Sequence, residues 1–284
     1  MRVHHLNCTC TCPLGGRLMD GRTRCVLCRG ELACHCLLVE TDANGLVLVD
    51  TGFGLRDVKS PRSRLSAFFR AMVKPALSEY MTAAHHVSRL GFQIEDVRHI
   101  VLTHLDFDHA GGLDDFPGAT VHLMEKEWIT ASGRRSWLDA QRFRPAQWSA
   151  PESWRRYGGA GGVGWKGFDG VWPIDGLGDE VALVPLPGHT LGHAGVAVRE
   201  QAGWKLLAGD AYFFHGEMDL REPYCTPGLR FYQWMMEQDR RSRLENQSRL
   251  RDLKRASGTA VQVFCSHDMV ELQAHQQGVD RRHR

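Results

Sequence analysis

The chain has 284 residues, of which 43% are hydrophobic and 24% are charged, a balance typical of a soluble globular protein. Its formal net charge is only +2, so charge gives no argument for a nucleic-acid or membrane surface as a partner. No run approaches the roughly 18 apolar residues that a helix needs to span a bilayer.

The first 36 residues hold most of the cysteines and no secretion signal. Residues 1–6 lack the apolar core of a signal peptide, so we expect a cytoplasmic protein. The spacing of Cys25 and Cys28 would suit a structural zinc site completed by Cys8, Cys10 or Cys12. Nine cysteines are an odd total, which argues against a disulfide framework. Reduced thiols are small and apolar enough for strands and a tight loop, so we expect free thiols in preference to zinc.

Two apolar runs follow, and both predict strands. Residues 32–40 and 45–50 are separated by a segment that ends in Asn44-Gly45, a strong signal for a β-hairpin. Cys34 and Cys36 lie two residues apart in the first run, so they share one face of the strand and are expected in the core.

Residues 101–112 (VLTHLDFDHAGG) carry the densest set of potential metal ligands in the chain. An apolar run ends just before four of them, which are His104, Asp106, Asp108 and His109. Imidazole and carboxylate groups suit Zn, Fe, Mn and similar ions. Because such side chains have no packing use at this density, the segment predicts a metal site.

Residues 133–175 are the least regular part of the sequence, with five tryptophans among many glycines and arginines. Long irregular segments are usually functional or mobile. We interpret this one as a lid over the metal cleft, with an insertion folded onto the sheet as the alternative. Arginines between aromatic residues would also suit single-stranded nucleic acid, but the low net charge speaks against it.

Three later apolar segments each end at one more potential ligand. Residues 181–187 lead to His189, residues 206–209 lead to Asp210, and residues 261–265 lead to His267. Ligands delivered by strand ends are expected to converge at one edge of a sheet system.

This ordered set resembles the metallo-β-lactamase-fold hydrolase superfamily, whose pattern is H-x-H-x-D-H, then a single His, a single Asp and a final His. The resemblance covers nearly the whole chain. Six residues occupy ligand positions of that pattern: His104, Asp108, His109, His189, Asp210 and His267. It implies an α+β fold, the αβ/βα four-layer sandwich of two mixed β-sheets flanked by helices, as a single domain over residues 1–284. Asp50 would then support the ligands from beneath the site.

One position departs from the pattern, because Asp106 stands where the family has its second histidine. If Asp106 is a ligand, its anionic oxygen favours Fe or Mn more than an all-imidazole site would, although Zn remains our first expectation. If Asp106 is too short to reach, a coordination position stays open. Flavodiiron oxygen reductases of this superfamily have Glu here, so a diiron redox enzyme is the alternative class. No flavin-binding segment is readable in the sequence.

By resemblance, the ligands divide between two ions that share Asp210: His104, His189 and Asp106 for one, and Asp108, His109 and His267 for the other. Two divalent ions lower the pKa of a bound water from 15.7 toward about 7, which makes hydroxide available at neutral pH. That hydroxide would attack an ester, lactone, amide or thioester carbonyl. Asp108 is expected to carry a proton to the leaving group, and Tyr212 to donate to the developing oxyanion.

Residues 104–112 and the chain length look most similar to the N-acyl homoserine lactonase branch, which is quorum-quenching. The resemblance implies a hydrolase that opens a lactone or cleaves a small carboxylic ester. We expect a small-molecule substrate and neither nucleic acid nor membrane as a partner, and a homodimer is left open.

Overall fold

The computed structural model describes residues 1–282, with side chains as far as Gly278. Its strands, numbered in chain order, are β1 Arg2–Thr11, β2 Leu32–Glu40, β3 Leu46–Val49, β4 Val97–Val101, β5 Thr120–Met124, β6 Ser153–Tyr157, β7 Val163–Trp165, β8 Phe168–Pro173, β9 Val181–Pro185, β10 Ala194–Glu200, β11 Gly203–Leu207 and β12 Val261–Phe264. Its α-helices are α1 Arg17–Asp20, α2 Leu55–Lys59, α3 Pro61–Arg64, α4 Ala67–Met72, α5 Ala83–Arg89, α6 Glu125–Gly133, α7 Trp137–Arg142, α8 Pro145–Trp148, α9 Pro227–Met236, α10 Arg240–Ser257 and α11 Met269–Arg282. Within this range, no helix is both long and apolar enough to cross a membrane.

The strands form two mixed sheets, as the sequence predicts. The first sheet has the order β1-β2-β3-β4-β5-β6, antiparallel at its start and parallel from β3 onward. The second has the order β12-β11-β10-β9-β8-β7, in which only β11 and β12 run parallel. Helices flank the sheets, and the expected α+β sandwich is confirmed.

Apolar side chains of both sheets meet in a central core. Val39 and Val49 of the first sheet belong to one cluster with Val181 and Val196 of the second, and all four valines are buried. Strands that are buried on both faces read as continuous apolar runs rather than as an alternating pattern. This explains why β2 and β3 could be predicted from hydrophobicity alone.

The hairpin between β2 and β3 forms at the predicted turn. Gly45 adopts φ +73°, a left-handed conformation that glycine takes without steric cost. A Cβ atom there would lie 2.7 Å from a side-chain carbon of Arg98, so the turn has no room for a side chain at this position.

Residues 133–175 contain more secondary structure than we expected from the sequence. They form two short helices, α7 and α8, and three strands that extend both sheets. Trp148 and Trp154 pack on the outer core of the first sheet, and Trp172 packs on the central core. Burial of these large aromatic side chains fixes a segment whose glycines and arginines carry no periodic signal.

Candidate metal centre

The predicted ligands converge where β4, β9, β11 and β12 end. Asp210 lies between the histidines. Its Oδ1 is 3.3 Å from Nε2 of His109 and 3.1 Å from Nε2 of His267. Its Oδ2 is 3.3 Å from Nε2 of His189 and 3.8 Å from Nε2 of His104. One carboxylate therefore faces two pairs of histidines, one pair with each oxygen.

These residues form two overlapping groups whose ligand atoms lie within 4.8 Å of one another. The first cluster is His104, His189 and Asp210, and the second cluster is His109, Asp210 and His267. Asp108 adjoins the second cluster, because its Oδ2 is 3.8 Å from Nε2 of His267. All of these side chains are buried.

The donors fit divalent metal ions. Nε2 of His104, Nε2 of His109 and Oδ1 of Asp210 are buried and have no hydrogen-bond partner of good geometry among the described residues. Buried polar atoms are normally satisfied, so three that face one another indicate a cation site. Imidazole nitrogen and carboxylate oxygen are the donors that Zn and similar ions take.

Hydrogen bonds from neighbouring residues orient the ligand rings. Oδ2 of Asp50 is 2.8 Å from Nδ1 of His109, and Oδ1 accepts a hydrogen bond from the Thr103 amide at 2.8 Å. Nδ1 of His267 donates to the carbonyl oxygen of Ala33 at 2.6 Å. Such contacts fix the tautomer and leave Nε2 to face the ion. Asp50 thus lies where the resemblance places it.

His193 fixes the backbone of a ligand. Its Nδ1 donates to the Leu186 carbonyl oxygen at 2.9 Å, and its Nε2 accepts from the Asp210 amide at 2.9 Å. Burial lowers the pKa of His193 to about 3, so the ring is neutral at physiological pH.

Glu127, on α6, ties two ligand-bearing loops together, and no sequence pattern pointed to it. It is fully buried, and it accepts hydrogen bonds from the Leu105 amide at 2.9 Å and from the Thr190 hydroxyl. Burial raises the pKa of Glu127 to about 7.

Asp106 is held by an arginine that sequence reasoning missed. Nε of Arg142 donates to Oδ1 of Asp106 at 2.7 Å, and an Nη of the same guanidinium donates to Oδ2. Burial by itself would raise the pKa of Asp106, but Arg142, His104 and His189 together outweigh it, and the pKa falls well below its usual range. Asp106 belongs to neither cluster, although its Oδ2 lies 3.4 Å from Nε2 of His104.

The role expected for Tyr212 is wrong. Its side chain is fully buried in the core around α10 and β12, and its hydroxyl donates to both carboxylate oxygens of Glu271, at 3.0 and 3.1 Å. The hydrophobic run after Asp210 is equally compatible with residues in the core and with residues that line the cleft, and Tyr212 lies in the core.

Tyr232, on α9, is a tyrosine that faces the site. It lines a cavity of about 310 Å³ together with Asp108 and His267. Burial raises the pKa of Tyr232 well above its usual value, and the charges of Asp108, Asp106 and Asp210 add to the rise. The phenol is therefore protonated and able to donate. The spacing of apolar residues along this helix does not show whether Tyr232 lies in the core or lines the metal site.

The rest of this cavity is largely apolar. Phe213 stacks on the ring of His267, with centroids 5.0 Å apart. Further lining side chains come from α1, α4, α9 and the segments beside them: Leu14, Met19, Met72, Val73, Phe231 and Met235. An apolar chamber thus opens directly on the second cluster.

No possible metal-binding group in the described part of the chain contains the cysteines considered for a structural zinc site, which are Cys8, Cys10, Cys12, Cys25 and Cys28. All nine cysteines are free thiols. Cys34 and Cys36 are buried on β2, as expected. Cys34 also lies close to the metal centre, because its sulfur is within 4.8 Å of ligand atoms of Asp108 and His267.

Comparison with known proteins is consistent with this geometry. Residues 29–267 match the model of the metallo-beta-lactamase superfamily. A probable metallo-hydrolase of Mycobacterium tuberculosis is 39% identical over 270 residues, which are 94% of this chain and 80% of the relative. An N-acyl homoserine lactonase of Bacillus cereus is 26% identical over 196 residues, 69% of this chain and 70% of the relative.

Solved structures show the same fold. A variant of AiiA from B. thuringiensis, with N-decanoyl-L-homoserine bound at its active site, has a TM-score of 0.70 at 20% identity and covers 96% of this chain and 95% of its own. The dizinc quorum-quenching lactonase AidC has a TM-score of 0.61 at 16% identity, with coverage of 94% and 87%. The chain belongs to the metallo-beta-lactamase superfamily and is a hydrolase of that superfamily, similar to its N-acyl homoserine lactonase branch.

Proposed function

We propose that the chain is a metal-dependent hydrolase that opens a lactone, or cleaves a small carboxylic ester, that carries an apolar acyl group. The observation that carries this proposal is the apolar cavity of about 310 Å³ that shares Asp108 and His267 with the metal centre. A carbonyl placed at the second cluster would have its acyl chain among the methionine and phenylalanine side chains. The N-acyl homoserine lactonases among the relatives and neighbours support the same substrate class.

Divalent ions in the two clusters would supply a Lewis acid and a water of lowered pKa. The chain itself then has three tasks: to place the carbonyl, to donate to the oxyanion and to protonate the leaving group.

Asp108 is the group that we assign to proton transfer. Burial raises its pKa, and Asp210 and Asp106 add to the rise, while His109 and His267 act against it. Asp108 lines the cavity beside His267, so its carboxyl group is placed to deliver a proton to the leaving oxygen.

Tyr232 is the group that we assign to the oxyanion, in place of Tyr212. Its phenol stays protonated in the negative field of the site, and it shares the cavity with Asp108 and His267. A donor held there by α9 stabilises charge as it develops, without reorganisation.

The cavity can be tested by filling it. Ala71 lines the cavity, and Ala71→Trp should raise KM for N-decanoyl homoserine lactone by about tenfold while changing KM for the N-butanoyl compound little, because only the long chain needs the filled volume. Both constants are measured on metal-reconstituted protein. Ala256→Trp is the matched control, since Ala256 is exposed on α10 and does not line the cavity.

Equal effects of Ala71→Trp on both lactones would contradict acyl binding in the cavity. Turnover of amides or thioesters, without lactones or esters, would replace the proposed substrate class.

A further inference from the structure

Arg142 is the largest side chain that is fully buried in the described part of the protein, and it lies at the first cluster. One of its Nη atoms is 2.7 Å from Nε2 of His189, and the same nitrogen donates to Oδ2 of Asp106. The other Nη donates to the Met236 carbonyl oxygen at 2.7 Å. The guanidinium is thus held at three points, two of them in the metal centre.

The contact between Arg142 and His189 occupies the lone pair of Nε2 of His189. A guanidinium is always protonated and has no acceptor, so its hydrogen bond with His189 uses the lone pair of Nε2. The same Nε2 also lies 3.0 Å from Oδ2 of Asp106. The same lone pair is the one that an ion between His104, His189 and Asp210 would need. Arg142 and an ion therefore compete for one atom.

The positive charge of Arg142 also disfavours an ion in the first cluster. A guanidinium stays protonated in proteins, and Arg142 carries this charge in a fully buried position. A permanent positive charge then stands beside the first cluster and repels a divalent ion at short range, where water does not screen it.

Among the described residues, the second cluster has no such competitor. The charged side chains around its metal-facing atoms are the carboxylates of Asp108 and Asp210. The hydrogen bonds of His109 and His267 to Asp50 and Ala33 use Nδ1, so Nε2 of each ring faces Asp210. No positive side chain within the described range therefore weakens the binding of a cation at the second cluster, as Arg142 does at the first.

We propose that Arg142 makes metal binding sequential: the second cluster binds an ion first and tightly, and the first cluster binds an ion only when the guanidinium gives up His189. Asp106 is then the anchor that holds Arg142 in the site. The inference rests on the metal dependence of the proposed function and not on its substrate.

A zinc titration of chelator-stripped protein, followed by competition with a chromophoric chelator, tests the proposal. Wild-type protein should bind one ion per chain at least about 100-fold more tightly than a second. Arg142→Met should tighten the second ion by at least about tenfold, because it removes the charge and frees the histidine. Arg144→Met is the matched control. Arg144 donates to backbone oxygens of Arg64 and Ala140 and should leave both affinities unchanged.

Nuclear magnetic resonance of histidine-labelled wild-type protein gives a second readout, which does not depend on the folding of a variant. The first equivalent of zinc should shift the signals of His109 and His267, and only the second should shift those of His104 and His189. Two ions of equal affinity, or simultaneous shifts of all four histidines, would overturn the proposal. Binding of no ion at all would instead contradict the proposed metal-dependent function.

Discussion

Tyr232 and Tyr212 provide a test at the scale of single residues. Tyr232→Phe removes a phenol from the cavity that Asp108 also lines and should lower kcat by about 10²-fold, the usual loss for one oxyanion donor, with little change in thermal stability. Steady-state kinetics on metal-reconstituted protein measures the effect.

Tyr212→Phe is the control for that substitution. It removes the hydroxyl that hydrogen-bonds to Glu271 and should cost about 1–3 kcal/mol of unfolding free energy, with kcat nearly unchanged. A larger loss of kcat in Tyr212→Phe than in Tyr232→Phe would contradict the assignment.

Single residues also show which parts of the site could be predicted from the sequence. His104, Asp108 and His109 lie within six positions of one another, and this density points to metal chemistry. The ion pair of Arg142 with Asp106 could not be predicted, because the two residues are 36 positions apart in the sequence. No local sequence pattern indicates such a buried ion pair. Tyr232 sits on a helix with an apolar face, where periodicity predicts burial but not the identity of its neighbours.

At the scale of elements, α6 connects the loop after β4 to the loop after β9 through Glu127. The folded protein keeps Glu127 protonated up to about pH 7, whereas the unfolded chain releases this proton near the ordinary pKa of 4.5. The unfolded state binds fewer protons between these values, so Glu127 lowers stability as pH rises from about 4.5 to about 7.

Glu127→Gln should remove that dependence. The amide can accept from Leu105 and donate to Thr190, so the variant should be more stable than wild type by up to about 3 kcal/mol above pH 7, with the difference vanishing near pH 4.5. Thermal unfolding of metal-free protein from pH 4.5 to 8 measures it. A difference that is constant with pH, or that grows toward acid, would contradict a buried and protonated Glu127.

The elements explain why the sequence of residues 133–175 gives little sign of secondary structure. Its strands are short, and one of them, β7, spans only Val163–Trp165. β6 and β8 form because β5 and β9 offer edges to pair with, and β7 then pairs with β8. The sequences of β5 and β9 lie outside the segment. Tertiary pairing overrides weak local preference.

At the scale of the whole molecule, the metal centre belongs to neither sheet alone. The loop after β4 comes from the first sheet, and Asp210 and His267 follow β11 and β12 of the second. The ligands meet only when the two sheets pack face to face over the shared apolar core. The sequence predicted this convergence because strands that end in polar ligands need a common edge, but distances and partners required the packed molecule.

Metal-dependent opening of a lactone is the central claim, and proton release from N-decanoyl homoserine lactone tests it most directly. Protein stripped with a chelator should lose the rate, reconstitution with Zn, Mn or Fe(II) should restore it, and Asp210→Asn should not recover, because Asp210 serves both clusters. Hydrolysis that persists in stripped protein, or its absence in every reconstituted form for lactones and small esters alike, would contradict the account.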